Sequence, residues 1–196
     1  VLKYGVDGVV ATGHEGGGHQ SYENASTLIL LQQIRTELPE IPVIASGGYA
    51  TGEGLASALA MGAGAIAMGS RFIASKESEF HEKYKGIVPS AGANDTLWVT
   101  GVLGPIRLWN NKYSLDHGVV KSKEEKMALE AQITPKMVME DQKHYEMTYE
   151  GNIDDGAVLL GQSIGLISSI ESVQDIINTI VSDAEKKLKE VSMCIV

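Results

Sequence analysis

Three short apolar runs, each ending in a glycine turn and separated by stretches of helical spacing, restrict this chain to an α/β architecture. Val6-Asp7-Gly8-Val9-Val10-Ala11, Ile41-Pro42-Val43-Ile44-Ala45 and Ala65-Ile66-Ala67-Met68 have the length of strands, and the first reads as buried on both faces. Pro42 sits at the start of its run, where no ladder hydrogen bond is lost. Between the first two, Leu28, Leu31, Ile34, Arg35 and Leu38 recur at helical spacing and stop at Pro39, with Ser26 or Thr27 as the cap. Thr51 caps a second helix carrying Leu55, Ala58, Leu59 and Met61, closed by Gly62 and Gly64. Strand, helix, strand, helix, strand at this spacing predicts parallel βαβ units with right-handed crossovers.

Gly13-His14-Glu15-Gly16-Gly17-Gly18-His19 follows the first strand and holds four glycines and two histidines. Each glycine adds backbone freedom that folding must remove. The stretch therefore predicts a loop at the carboxyl end of a buried strand, open to close approach, with an imidazole at His19 able to exchange protons near neutral pH. The other two strands end in Ser46-Gly47-Gly48 and Gly69-Ser70. Parallel sheets bind ligands at the carboxyl ends of their strands. Exposed glycine amides, the Ser70 hydroxyl and a helix N-terminus after each turn make a phosphate cradle there. The competing account is that βα turns need glycine for their geometry alone. His14 and His19 stand five apart across three glycines, whereas a zincin helix needs its histidines four apart, so no metal is expected. His14 then reads as a loop histidine bonded to backbone, and His81, His117 and His144 as solvated. Arg71 reaches either a phosphate or a buried carboxylate.

Val1–Gly5 resembles the tail of a helix. Glu77–Gly86 predicts a short helix, Leu97–Arg107 an extended stretch with Trp98 and Trp109 as packing residues, and Lys121–Glu150 helix with a break at Pro135. Met127, Met137, Met139 and Met147 in that segment are either packing residues or part of a cap over a substrate. Val173, Ile176, Ile177, Ile180, Val181, Ala184 and Leu188 form one apolar stripe of a final helix, capped by Ser172. Sixteen basic against 25 acidic residues give a net charge of −9, which disfavours nucleic acid and anionic membranes as partners. No apolar run reaches membrane-spanning length. The single cysteine, Cys194, allows no internal disulfide, so a reducing, cytoplasmic setting is expected.

The stretch Asp7–His19 resembles the histidine loop of the nitronate monooxygenase (2-nitropropane dioxygenase) family. Ile41–Tyr49 and Met68-Gly69-Ser70-Arg71-Phe72 are similar to that family's next two strand ends, and Gly156–Ile167, with Gly161-Gln162-Ser163, to its C-terminal region. Flavin-dependent enoyl-acyl carrier protein reductases share these patterns.

The resemblance implies the C-terminal part of an FMN-binding (β/α)8 TIM barrel followed by a mostly helical segment. It divides the chain into barrel units at 1–76, an inserted substrate or cap segment at 77–150, and C-terminal helices at 151–196. It makes His19 the catalytic residue. Thr12, Gly17 and Gly18 would line the isoalloxazine, and Gly47, Gly48, Met68, Gly69 and Ser70 would hold the FMN phosphate. The family often carries glutamine where Ala67 stands, so a contact to FMN there falls to backbone. Strands that should precede Val6 are missing, and a barrel needs eight.

The implied activity is FMN-dependent oxidation of alkyl nitronates or nitroalkanes with O2. Its rivals are an enoyl-thioester reductase on the same barrel and a non-catalytic half-barrel subunit. An inosine-monophosphate-type dehydrogenase is disfavoured, because it needs a loop cysteine and Cys194 is far from any such loop. Expected partners are a small-molecule substrate and either a separate N-terminal half-barrel chain or a second copy.

Overall fold

A computed structural model describes residues 2–119 and 122–194; Val1 and Lys121, where two of the expected segments begin, lie outside the described residues. A 3-10 turn at Leu2–Tyr4 leads into β1 (Val9–Thr12), β2 (Gly18–His19), α1 (Thr27–Glu37), β3 (Val43–Ser46), α2 (Gly52–Ala60) and β4 (Ala65–Ala67). Strands β1, β3 and β4 form a parallel sheet in that order. Thr12 pairs with Ser46 and Ser46 with Ala67, so the three strands end level. The expected α/β order holds through this region.

Local chemistry sets the helix boundaries. Ser26 caps α1, its hydroxyl accepting from the Ile29 amide at 3.3 Å, while Thr27 is turned to another use described below. Thr51 caps α2 by accepting from the Gly54 amide at 3.2 Å. Ala11, Val43 and Ala45 are buried with Leu31 of α1 and Ala58 of α2. On the other side Val10 is 58% and Ile44 39% exposed. The expectation that the first strand is buried on both faces therefore fails. Side chains alternate along a strand, and among the described residues the helices cover one face of this sheet.

Beyond β4 come α3 (Ser70–Ile73), α4 (Glu82–Ile87), β5 (Thr96–Gly101), β6 (Gly104–Trp109), α5 (Lys112–His117), α6 (Lys123–Glu130), α7 (Pro135–Tyr149) and α8 (Val173–Cys194). The stretch expected to be simply extended is an antiparallel hairpin, β5 against β6. Strand β6 also takes Gly18–His19 as its second neighbour. The glycine stretch is thus not all loop: its last two residues are strand. Pro135 opens α7, where its missing amide costs nothing, and Thr134 caps that helix. Met127, Met137 and Met139 are exposed, so packing does not account for them. On α8 the buried stripe is Ile176, Ile180 and Ala184; Ile177, Val181 and Leu188 are exposed, so the apolar face is wider than what the molecule covers. The helix lies close against α2: a Cβ at Gly52 would stand 2.4 Å from the Asp183 Cβ.

His117 and His144 are not solvated as expected. They flank Tyr113, whose ring packs edge-on to His117 at 4.4 Å and stacks on His144 at 4.5 Å between centroids. The Tyr113 hydroxyl donates to Asp141, and His117 Nε2 lies 3.6 Å from the same carboxylate. Burial raises the Asp141 pKa, but the facing His117 imidazole and the Tyr113 hydroxyl outweigh it and hold the carboxyl below its ordinary value. Burial and that charge push Tyr145 up to about 12. A carboxylate with a depressed folded pKa contributes stability above its unfolded pKa and loses it as pH falls through the folded value. Asp141→Asn is therefore expected to cost about 1.5–3 kcal/mol near neutral pH and progressively less in acid. Denaturant midpoints measured across that range check this; a cost that stays constant with pH contradicts it.

Candidate functional site

The level strand ends and the chain's C-terminal third enclose a cavity of about 220 Å³. Thr12 and Gly17 line it from the β1 side, Gly47 and Gly48 from β3, and Ala67, Gly69 and Ser70 from β4. Seven of the ten expected site residues are thereby brought together. Met68 faces an adjoining recess with Phe72 and Phe80. Gly18 is buried in β2. His19 is exposed and stands outside the cavity lining, two residues past Gly17 and paired in register with Ile106.

The glycine stretch is held from several directions. Thr27 sends its amide (2.9 Å) to Glu15 Oε2, and its hydroxyl lies 2.8 Å from both that oxygen and the Gly47 carbonyl. One hydroxyl proton serves one of these acceptors at a time. His14 donates its amide to the Ala25 carbonyl at 2.9 Å, and the Gly13 amide reaches Ser46 at 3.1 Å. From the hairpin, the buried Arg107 donates Nε–H to the His14 carbonyl at 2.8 Å, and Pro105 accepts from the Gln20 amide at 2.8 Å. Burial lowers the Arg107 pKa and the nearby Glu15 carboxylate opposes that shift. His14 does use its backbone as expected, yet among the described residues its buried ring Nδ1 has no hydrogen-bond partner, and it lies 3.8 Å from Glu15.

Glycine is required here by close approach. A Cβ at Gly17 would stand 2.6 Å from the Leu160 carbonyl carbon, and one at Gly47, where φ is +89°, 2.8 Å from the Gly13 oxygen. Arg71, left open between two partners, donates to the Ser169 carbonyl at 2.8 Å and lies 3.6 Å from Glu171. It does not line the cavity, and the carboxylate beside it is partly exposed rather than buried.

Leu159, Gly161, Ser163 and Tyr49 also line the cavity, with Gly16, Ser46 and Ile73, and were not among the expected site residues. The first three belong to a segment whose only sequence signal was the Gly161-Gln162-Ser163 pattern. The Gly161 amide donates to Ser70 Oγ at 3.0 Å, joining that segment to the end of β4. Burial raises the Tyr49 pKa, and Glu15 adds to the rise. Among the described residues no group of three or more His, Cys, Asp or Glu side chains could hold a metal ion, and no helix is long and apolar enough to cross a membrane.

The chain is similar to known proteins. FabK from Thermotoga maritima superposes with a TM-score of 0.82 at 32% identity, covering 99% of this chain and 59% of its own. A (3aS,4S,5R,7aS)-5-hydroxy-7a-methyl-1-oxo-octahydro-1H-indene-4-carboxyl-CoA dehydrogenase from Rhodococcus jostii is 31% identical over 220 residues, which are 96% of this chain and 62% of that protein. Nitronate monooxygenase npaC from Metarhizium robertsii is 40% identical over 96 residues, 46% of this chain and 27% of the relative. The chain thus spans about three-fifths of the length of the first two. Residues 1–183 match the nitronate monooxygenase family profile, so the strand ends, the glycine-histidine stretch and the C-terminal segment all fall within the match, and the chain belongs to the nitronate monooxygenase family.

Proposed function

We propose that the protein acts as an FMN-dependent oxidoreductase of the nitronate monooxygenase type, oxidising alkyl nitronates or nitroalkanes with O2. The observation that carries this reading is the meeting of three glycine-bearing strand ends around one cavity. Gly69 tests whether a phosphate fits. Its φ of −96° is ordinary for any residue, and nothing lies within 4 Å of where its Cβ would stand. Neither strain nor packing accounts for glycine at that position, whereas space kept clear for a ligand does.

Gly47, Gly48, Met68, Gly69 and Ser70 would hold the phosphate, with Thr12, Gly17 and Gly18 toward the ring and Ala67 contributing backbone. Bound FMN supplies electron transfer and the reaction with oxygen. The chain's own part is to bind, to orient and to handle a proton. His19, exposed two residues past the cavity-lining Gly17, would take the α-proton of a neutral nitroalkane or hold an already anionic nitronate. The 77–150 segment covers the substrate.

Gly69→Ala is expected to keep the wild-type melting temperature and to weaken FMN binding at least about tenfold, the added methyl competing with ligand for a filled site. Titration of flavin fluorescence measures it; unchanged affinity moves the ligand elsewhere. A second reading, reduction of an enoyl thioester, is favoured by the match to FabK along 99% of the chain. Anaerobic bleaching of bound flavin by NADH or NADPH supports it, and bleaching by a nitronate alone supports the first.

A further inference from the structure

Beyond the turn at Gly69 lies a recess of about 450 Å³ to which the proposed chemistry assigns no occupant. Small-molecule sites span roughly 300–1,000 Å³, so it has room for one substantial group. Met68, Gly69, Phe72, Ile73, Phe80 and Tyr149 form most of its wall. Gly69 and Ile73 also line the strand-end cavity, so the two spaces meet at that turn. The passage between them is clear, because nothing lies within 4 Å of where a Gly69 Cβ would stand.

The wall is aromatic and held in place. Tyr149 is the last residue of α7 and is 60% exposed. Its ring stacks on Phe80, with centroids 5.0 Å apart and planes 20° from parallel. Phe80 is backed in turn by the buried Tyr84, edge-on at 4.9 Å. Two layers of rings thus fix Tyr149 at the recess and still leave most of its surface open. An open, immobilised ring beside Met68 and Phe72 suits a flat heteroaromatic group, which stacks on such a platform.

The polar lining narrows the choice. Ser78 and Glu79 bring a hydroxyl and a carboxylate to the recess, and among the described residues no Lys, Arg or His lines it. A carboxylate only accepts hydrogen bonds. The group it suits is therefore uncharged and carries amine or hydroxyl donors. Adenosine meets each condition, with a planar base, an exocyclic amine and ribose hydroxyls.

We infer that this recess binds the adenosine half of flavin adenine dinucleotide, the FMN half lying in the strand-end cavity. This rests on the FMN reading, in which the phosphate sits at Gly69 and the chain to the second nucleoside leaves there. The adenine stacks on Tyr149, and Glu79 accepts from its amine or from the ribose. A substrate chain belongs at the other end of the flavin, toward Thr12 and Gly17.

Titration calorimetry of FMN and of flavin adenine dinucleotide into wild-type protein, Tyr149→Ala and Tyr149→Phe tests it. Wild-type protein should bind the dinucleotide at least about tenfold more tightly than FMN. Tyr149→Ala should abolish that advantage and leave the FMN Kd unchanged, while Tyr149→Phe should keep it, since the ring rather than the hydroxyl makes the contact. The advantage should also persist at high salt, because no cation lines the recess. Wild-type protein that binds the dinucleotide no more tightly than FMN, or equal losses for the two ligands in Tyr149→Ala, overturns the assignment while the FMN reading stands. Absence of binding by both ligands removes that reading and this one with it.

Discussion

Replacing His19 with asparagine is expected to slow turnover of neutral nitroalkanes about 10²–10⁴-fold and to leave FMN affinity at the wild-type level. The side chain is exposed and takes part in no described hydrogen bond or ion pair, while the pairing of its backbone with Ile106 does not depend on the ring. Its removal costs no packing, so a loss of rate is a loss of chemistry. Asparagine keeps a polar group of similar reach but cannot accept a proton near neutral pH. Preformed nitronates need no proton removed and should lose far less. Steady-state rates on a nitroalkane and on its nitronate separate the cases. Equal losses on both substrates, or none on either, take the imidazole out of proton transfer.

Gly13→Ala should unfold the site itself, at a cost of at least about 3 kcal/mol. A Cβ there would lie 2.1 Å from Thr27 Oγ1, 2.2 Å from the Thr27 nitrogen and 2.5 Å from its Cα. Two of those atoms are backbone at the start of α1, so no rotamer change relieves the clash. Moving Thr27 also strips Glu15 of its donors and the Gly47 carbonyl of its contact. One methyl thus disturbs two strand ends and the glycine stretch together. Chemical denaturation gives the number, and Gly69→Ala is the matched control, since its methyl meets nothing in the protein alone. A Gly13→Ala protein as stable as the wild type would mean that Thr27 does not hold the strand ends.

What could be read from residues alone was whatever depends on near neighbours. Ser26 and Thr51 were legible as caps because a hydroxyl three residues before a free amide is a local relation. The parallel order of β1, β3 and β4 follows from the helix between each pair, and the strand ends then meet by construction. The hairpin was not legible as such: no Asn-Gly or Asp-Gly marks its turn, although Gly101 and Gly104 bracket two residues as a tight connection would. Pairing of Gly18–His19 with β6 depends on contacts across some ninety residues, which no periodicity reports. Glycine content argued for a loop, and tertiary pairing overrode it. The Tyr113, Asp141 and His117 cluster escaped notice for the same reason, since two of its members sit on α5 and one on α7.

Strand β2 has its partner in β6, and Gly17 its neighbour in Leu160. During synthesis both partners leave the ribosome long after the stretch they fix. A nascent chain that has delivered only the first three strands of the parallel sheet holds Gly16–His19 without the wall that orders it. Contacts this distant in sequence close slowly. The stretch that carries the imidazole is therefore among the last parts to become native, since Leu160, the neighbour of Gly17, lies in the final third of the chain.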